Sequence, residues 1–219
     1  GARHRYRMCR GIAISTDFNA PPHCQTFLPL SDCCQPLGRP RTCLACVRQL
    51  AASCPSPSSR SPSADDLAEC VARAVLCGLV VREGAEERRC SVFDSEAVPA
   101  IPLGTYLRRL QRDAQCSDAV LVCALVLLDR LLEEDGPKGD LELNAWSAHR
   151  LFLTCVVLAS KYHEDSGLSN AHFARAGGIR SVELRQHEEV LLRKMGYRLG
   201  VDAEVYNFYL CNLATLAEG

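Results

Sequence analysis

Residues 151–165, LFLTCVVLASKYHED, constrain the fold more than any other stretch of this chain. From Leu151 to Ala159 the run is apolar apart from Thr154. A helix that is hydrophobic on all sides belongs at the centre of a packed domain, not on its surface. The run is also too short to span a bilayer, which takes about 20 apolar residues. It ends in Ala-Ser-Lys-Tyr, so a buried helix carries a single cation, Lys161, to its rim.

The rest of the chain supplies the layer around that helix. From Asp65 onward Leu67, Val71, Ala74, Val75, Gly78 and Leu79 recur at helical spacing, with Asp65 and Asp66 as candidate caps, and this helix is expected over 67–81. Further helices are expected at 101–112, at 118–134 behind a Ser117 cap, and at 145–163 behind an Asn144 cap. Two more are expected at 169–175, ending on Gly177-Gly178, and at 181–195, capped by Ser181 with Glu183 in its first turn and stopping at Gly196. Asp202 is placed to cap a last helix through Leu216. No alternating strand pattern occurs in residues 100–219, so the expectation is an all-α bundle of one hydrophobic helix surrounded by amphipathic ones.

Charge and composition separate a tail from this bundle. Residues 1–64 hold eight Lys/Arg against two Asp/Glu, whereas residues 65–219 hold 17 against 24. The first segment also contains CPSPSSRSPS, a serine- and proline-rich run typical of linkers. We therefore expect a disordered N-terminal tail over 1–64 and a folded domain over 65–216. Ser56-Pro57 and Ser61-Pro62 match proline-directed phosphorylation, although linker chemistry alone accounts for them. The 14 cysteines are too sparse for a secreted disulfide scaffold, and Cys116, Cys123, Cys155 and Cys211 fall in or beside apolar helical patterns, as small core residues do. Together with the lack of a secretory-signal pattern, this points to a reducing, intracellular compartment, nucleus and/or cytoplasm.

Four segments in order resemble the P-type and U-type cyclins, the group of yeast phosphate-pathway cyclins and small plant cyclins. They are IPLGTYLRRL (101–110), CSDAVLVCALVLLDRLL (116–132), NAWSAHRLFLTCVVLASKYHED (144–165) and NAHFARAGGIRSVELRQHEEVLLRKMGYRL (170–199). The resemblance implies a single five-helix cyclin box with a helix before it and one after it. It implies a regulatory subunit that binds and activates a cyclin-dependent protein kinase, with catalysis left to the kinase. It also implies that Lys161 and Glu188 grip the kinase helix that carries its catalytic glutamate. The hydrophobic docking motif of mitotic cyclins is not visible in PLGTYLRRL, so substrate recruitment by that route is not implied.

Plainer readings stand beside these. Lys161 has the position of a snorkelling lysine at a helix end, and Glu188 that of a solvated face shared with Glu189. Asp129-Arg130 and His149-Arg150 read as ion pairs or caps within the bundle. His163, Glu164, Asp165 and His172 suggest a metal site only weakly, His187-Glu188-Glu189 lacks the second histidine of the zinc-protease pattern, and Cys43-Leu-Ala-Cys46 has no second pair at zinc-site distance. The expectation is thus no catalytic residues, no metal and no cofactor, with a kinase as partner and neither nucleic acid nor membrane. The alternatives are a cyclin-like scaffold without kinase activation and, more weakly, an all-α hydrolase or metal enzyme.

Overall fold

The computed structural model describes residues 8–9, 12–13, 64–78, 91–136, 140–165 and 167–217. The chain divides into two units, 1–35 and 36–219. In the first, β1 (Met8–Cys9) and β2 (Ile12–Ala13) pair antiparallel, Met8 opposite Ala13 and Cys9 opposite Ile12. Apart from these residues and Ala64, the expected tail lies outside the described residues, as do Cys43, Cys46, Ser56 and Ser61.

In the second unit the regular elements described are seven helices: α1 (Ala64–Cys77), α2 (Leu103–Ala114), α3 (Asp118–Asp135), α4 (Ala148–His163), α5 (Asn170–Gly177), α6 (Ser181–Lys194) and α7 (Ala203–Ala217). The expected order holds: five helices, α2–α6, with α1 before them and α7 after. The most extensive packing is α3 on α4; α1 lies against α2, α3 and α7, and α5 joins α2 to α6.

The hydrophobic helix is α4, buried continuously from Leu151 to Ser160. It is not alone. Every residue of α3 from Val120 to Asp129 is also buried, because α4, α1, α7 and α6 all pack on this helix. The amphipathic face expected for 118–134 therefore underestimates its burial. Each fully covered Leu or Phe, such as Leu127 or Phe152, contributes about 1.5–3 kcal/mol of transfer free energy.

Helix ends follow local chemistry, with several shifts from expectation. Helix α1 starts at Ala64, which puts Asp65 and Asp66 inside its first turn. Pro102 occupies the N-cap of α2 at φ −59°, and an X-Pro bond disfavours helix at Ile101, so α2 begins at Leu103. Asn144 caps a turn ahead of α4: its Oδ1 accepts from the amides of Trp146 at 2.9 Å and Ser147 at 3.0 Å, and the helix starts at Ala148. Arg180, without a side-chain cap bond, precedes α6, and Ser181 is its first helical residue. Ser117 caps α3 as expected, accepting from the Val120 amide. Gly178 closes α5 at φ +73°, in the left-handed region that glycine enters without strain.

The polar groups expected to be structural are so. The Tyr209 hydroxyl donates to buried Asp129, tying α7 to α3. Arg130 donates to the Gly200 carbonyl at 2.6 Å, and Arg150 pairs with Glu183 at 2.8 Å. His149 and His187 donate from Nε2 to the carbonyls of Ile101 and Val92 at 3.0 and 2.9 Å. These two bonds hold the segment 91–102 against α4 and α6.

Candidate functional site

Lys161 stands in the last turn of α4, where burial gives way to solvent. A cation there also meets the negative end of the helix dipole. Glu188 lies on α6 beside Leu184, His187 and Leu191, all buried. Those core contacts pull the carboxylate down until it is nearly covered, and a covered carboxylate needs partners. It has two. Lys161 Nζ lies 2.6 Å from Glu188 Oε1, and Asn170 Nδ2 donates to Oε2. Asn170 Oδ1 in turn accepts from Lys161 Nζ. Three helices thus contribute one side chain each to a closed ring.

Both site residues taken from the sequence are brought together, although 27 positions separate them. Asn170 went unrecognised there. Beside Ser169 it reads as part of a helix start, and only the meeting of α4, α5 and α6 gives it partners. Ser169 performs the capping, accepting from the His172 amide.

The ring borders an open depression of about 540 Å³. Leu158, Leu192 and Leu199 supply apolar lining, and Arg185 and Glu189 add one charge of each sign. Tyr162 and Tyr197 flank it, 57% and 67% exposed. Large aromatic side chains left open beside a charged pair are the composition of a protein contact surface. Tyr197 is also a non-glycine residue at φ +60°, a conformation that costs an L-residue energy.

Other chemistry is thin. Burial pushes the Cys116 thiol up to about 12 and raises those of Cys155 and Cys123, so none of the three is a thiolate at neutral pH. Glu164 accepts from the Ser117 amide and the Ser160 hydroxyl, and His172 Nε2 donates to the Asp113 carbonyl. Among the described residues no three His, Cys, Asp or Glu side chains gather as metal ligands would. A second depression, about 400 Å³, is lined on α2 by Thr105, Arg108, Arg109 and Arg112. It lies in the segment where the sequence lacks a hydrophobic docking motif, and its lining is arginine-rich.

Comparison with known proteins agrees with this architecture. The family model described as Cyclin matches residues 43–199. The chain is 31% identical over 150 residues to Cyclin-U2-1 of Arabidopsis thaliana, covering 64% of this chain and 66% of that protein. It is 33% identical over 135 residues to Cyclin-U4-1 of the same plant, covering 62% and 65%. It is 36% identical over 131 residues to Cyclin-P2-1 of Oryza sativa subsp. japonica, covering 60% and 58%. The chain thus spans 58% to 66% of the length of these curated relatives. With five helices in the expected order behind a family match across most of its length, the chain belongs to the cyclin family and is similar to its U-type and P-type members.

Proposed function

We propose that the chain is a regulatory subunit that binds and activates a cyclin-dependent protein kinase, and that Lys161 and Glu188 form its contact with that kinase. One observation carries the reading. A cation and a nearly covered anion from separate helices meet at 2.6 Å on the edge of an open depression flanked by exposed tyrosines. Membership of the cyclin family supplies the class of partner.

The mechanism is positional. A protein kinase is active when its mobile helix is held inward, so that the helix glutamate meets the ATP-binding lysine. A rigid bundle offering one fixed cation and one fixed anion sets the register of that helix. The leucines and tyrosines around the depression supply contact area. The chain itself then carries no catalytic residue; it shifts the equilibrium of a two-state element in its partner. Such a subunit works where its kinase is, inside the cell in the nucleus and/or cytoplasm. No helix among the described residues is long and apolar enough to cross a membrane.

The test is co-purification of the full chain with a cyclin-dependent kinase from the same cells, followed by phosphorylation of a generic substrate. The reading expects a complex with activity above that of the kinase alone, lost when Lys161 and Glu188 are both replaced by alanine. Binding without activation would instead make the chain a scaffold, and absence of any such kinase would refute the proposal.

A further inference from the structure

We propose that Asn170 is a third member of this site: a positioning residue whose side-chain amide locks Lys161 and Glu188 into one geometry for the kinase. The inference rests on the kinase-regulator reading above.

A primary amide is an uncharged group with an acceptor and donors in one rigid plane. Both functions are used here. Oδ1 accepts a hydrogen bond from the Lys161 ammonium and Nδ2 donates one to Glu188 Oε2, while Glu188 Oε1 holds the same ammonium at 2.6 Å. Neither a hydroxyl nor a carboxylate of similar reach makes both bonds in the same way; a carboxylate also sets a second negative charge beside Glu188.

The ring matters because of Lys161. Its ammonium sits on a flexible four-carbon stem, and its side chain is 38% exposed. One ion pair at that exposure restrains a lysine weakly. The second anchor fixes the nitrogen and engages two of its three donors, which leaves one for an acceptor outside the ring. Glu188, 10% exposed, keeps one inward partner on each oxygen. A partner therefore meets a cation and an anion already ordered, and binding does not have to supply that ordering. A capping role does not account for Asn170, because Ser169 caps α5.

The test uses the full chain and the cyclin-dependent kinase that co-purifies with it, each purified separately, with affinity measured by calorimetry. Asn170→Ala should weaken binding about tenfold, the scale of a hydrogen bond to a charged group, while the thermal midpoint moves by less than about 3 °C. Asn170→Asp should weaken it further, since it sets a second negative charge beside Glu188 where the amide donated. In a Lys161→Ala background, Asn170→Ala should cost less than it does in the wild-type chain, because only its bond to Glu188 remains. Wild-type affinity for Asn170→Ala, with Lys161→Ala/Glu188→Ala unable to bind, would overturn the inference and leave the kinase reading intact. A loss that simply adds to that of Lys161→Ala, with a lowered thermal midpoint, would also overturn it, as a structural effect. Undiminished binding by Lys161→Ala/Glu188→Ala would instead remove the kinase site itself, and Asn170's role with it.

Discussion

Helices α4 and α6 are joined by two ion pairs of similar length and different character. Near the start of both helices Arg150 meets Glu183 at 2.8 Å, with side chains 21% and 19% exposed. Farther along, Lys161 meets Glu188 at 2.6 Å. Around the first pair the molecule is closed. His187 holds the Val92 carbonyl, His149 holds that of Ile101, and Phe93 is buried with its ring 4.8 Å from that of His187. Around the second it is open, with a depression, two exposed tyrosines and a lysine donor not used by the ring. A charge pair by itself does not mark a site. What sets the second pair apart, and is read here as a site, is the exposed aromatic surface beside it.

The comparison breaks or sharpens under mutation. The largest effect is expected at the open pair: Lys161→Ala with Glu188→Ala should cost the kinase complex about 2–5 kcal/mol by calorimetry. Arg150→Ala should leave that affinity unchanged. The closed pair should behave oppositely, Arg150→Ala or Glu183→Ala lowering folding stability by about 1–2 kcal/mol in urea unfolding, between the values for exposed and buried pairs. Equal effects of both pairs on binding would erase the distinction.

The closed end should also be the pH-sensitive one. Burial holds His149 and His187 below the usual histidine value of 6.5, and the Nδ1 atom of each is buried without a hydrogen-bond partner. Glu183 and Arg150 face His187 with opposing influence. A neutral histidine is thus favoured in the folded state. Its contribution is complete above the unfolded value and is lost as pH falls from about 6.5 toward the lower folded value. Unfolding midpoints in urea should be level from pH 8 to 7 and drop below pH 6. His149→Gln with His187→Gln should flatten that drop.

The smallest effect belongs to strain at the open end. Tyr197→Gly should raise stability by roughly 0.5 kcal/mol, as relief of the left-handed backbone outweighs the added chain entropy. The same change should weaken kinase binding. A stability loss would mean that the tyrosine ring is held by the fold and is not reserved for a partner.

Much of the helix order was legible because periodicity and caps are local signals. Ser117 begins α3 and Gly178 closes α5 as their chemistry requires. The burial of α3 from Val120 to Asp129 was not legible, since Asp129 and Arg130 give it a polar side whose partners, Tyr209 and the Gly200 carbonyl among them, lie far away in the sequence. Lys161 and Glu188 came from family resemblance, their spacing alone being equally that of solvated helix residues. Tyr162 and Tyr197 were in plain view within the motifs that carried the resemblance, yet nothing local distinguishes an exposed tyrosine from a buried one such as Tyr106 or Tyr209.

By itself the sequence determined an all-α domain built around residues 151–159, because a run apolar on every side has one low-energy location, the interior. Only the tertiary structure decided that Asn170 joins Lys161 and Glu188. Hydrogen bonds act over about 3 Å, and bringing three groups within that distance depends on how three helices pack, which no local pattern encodes.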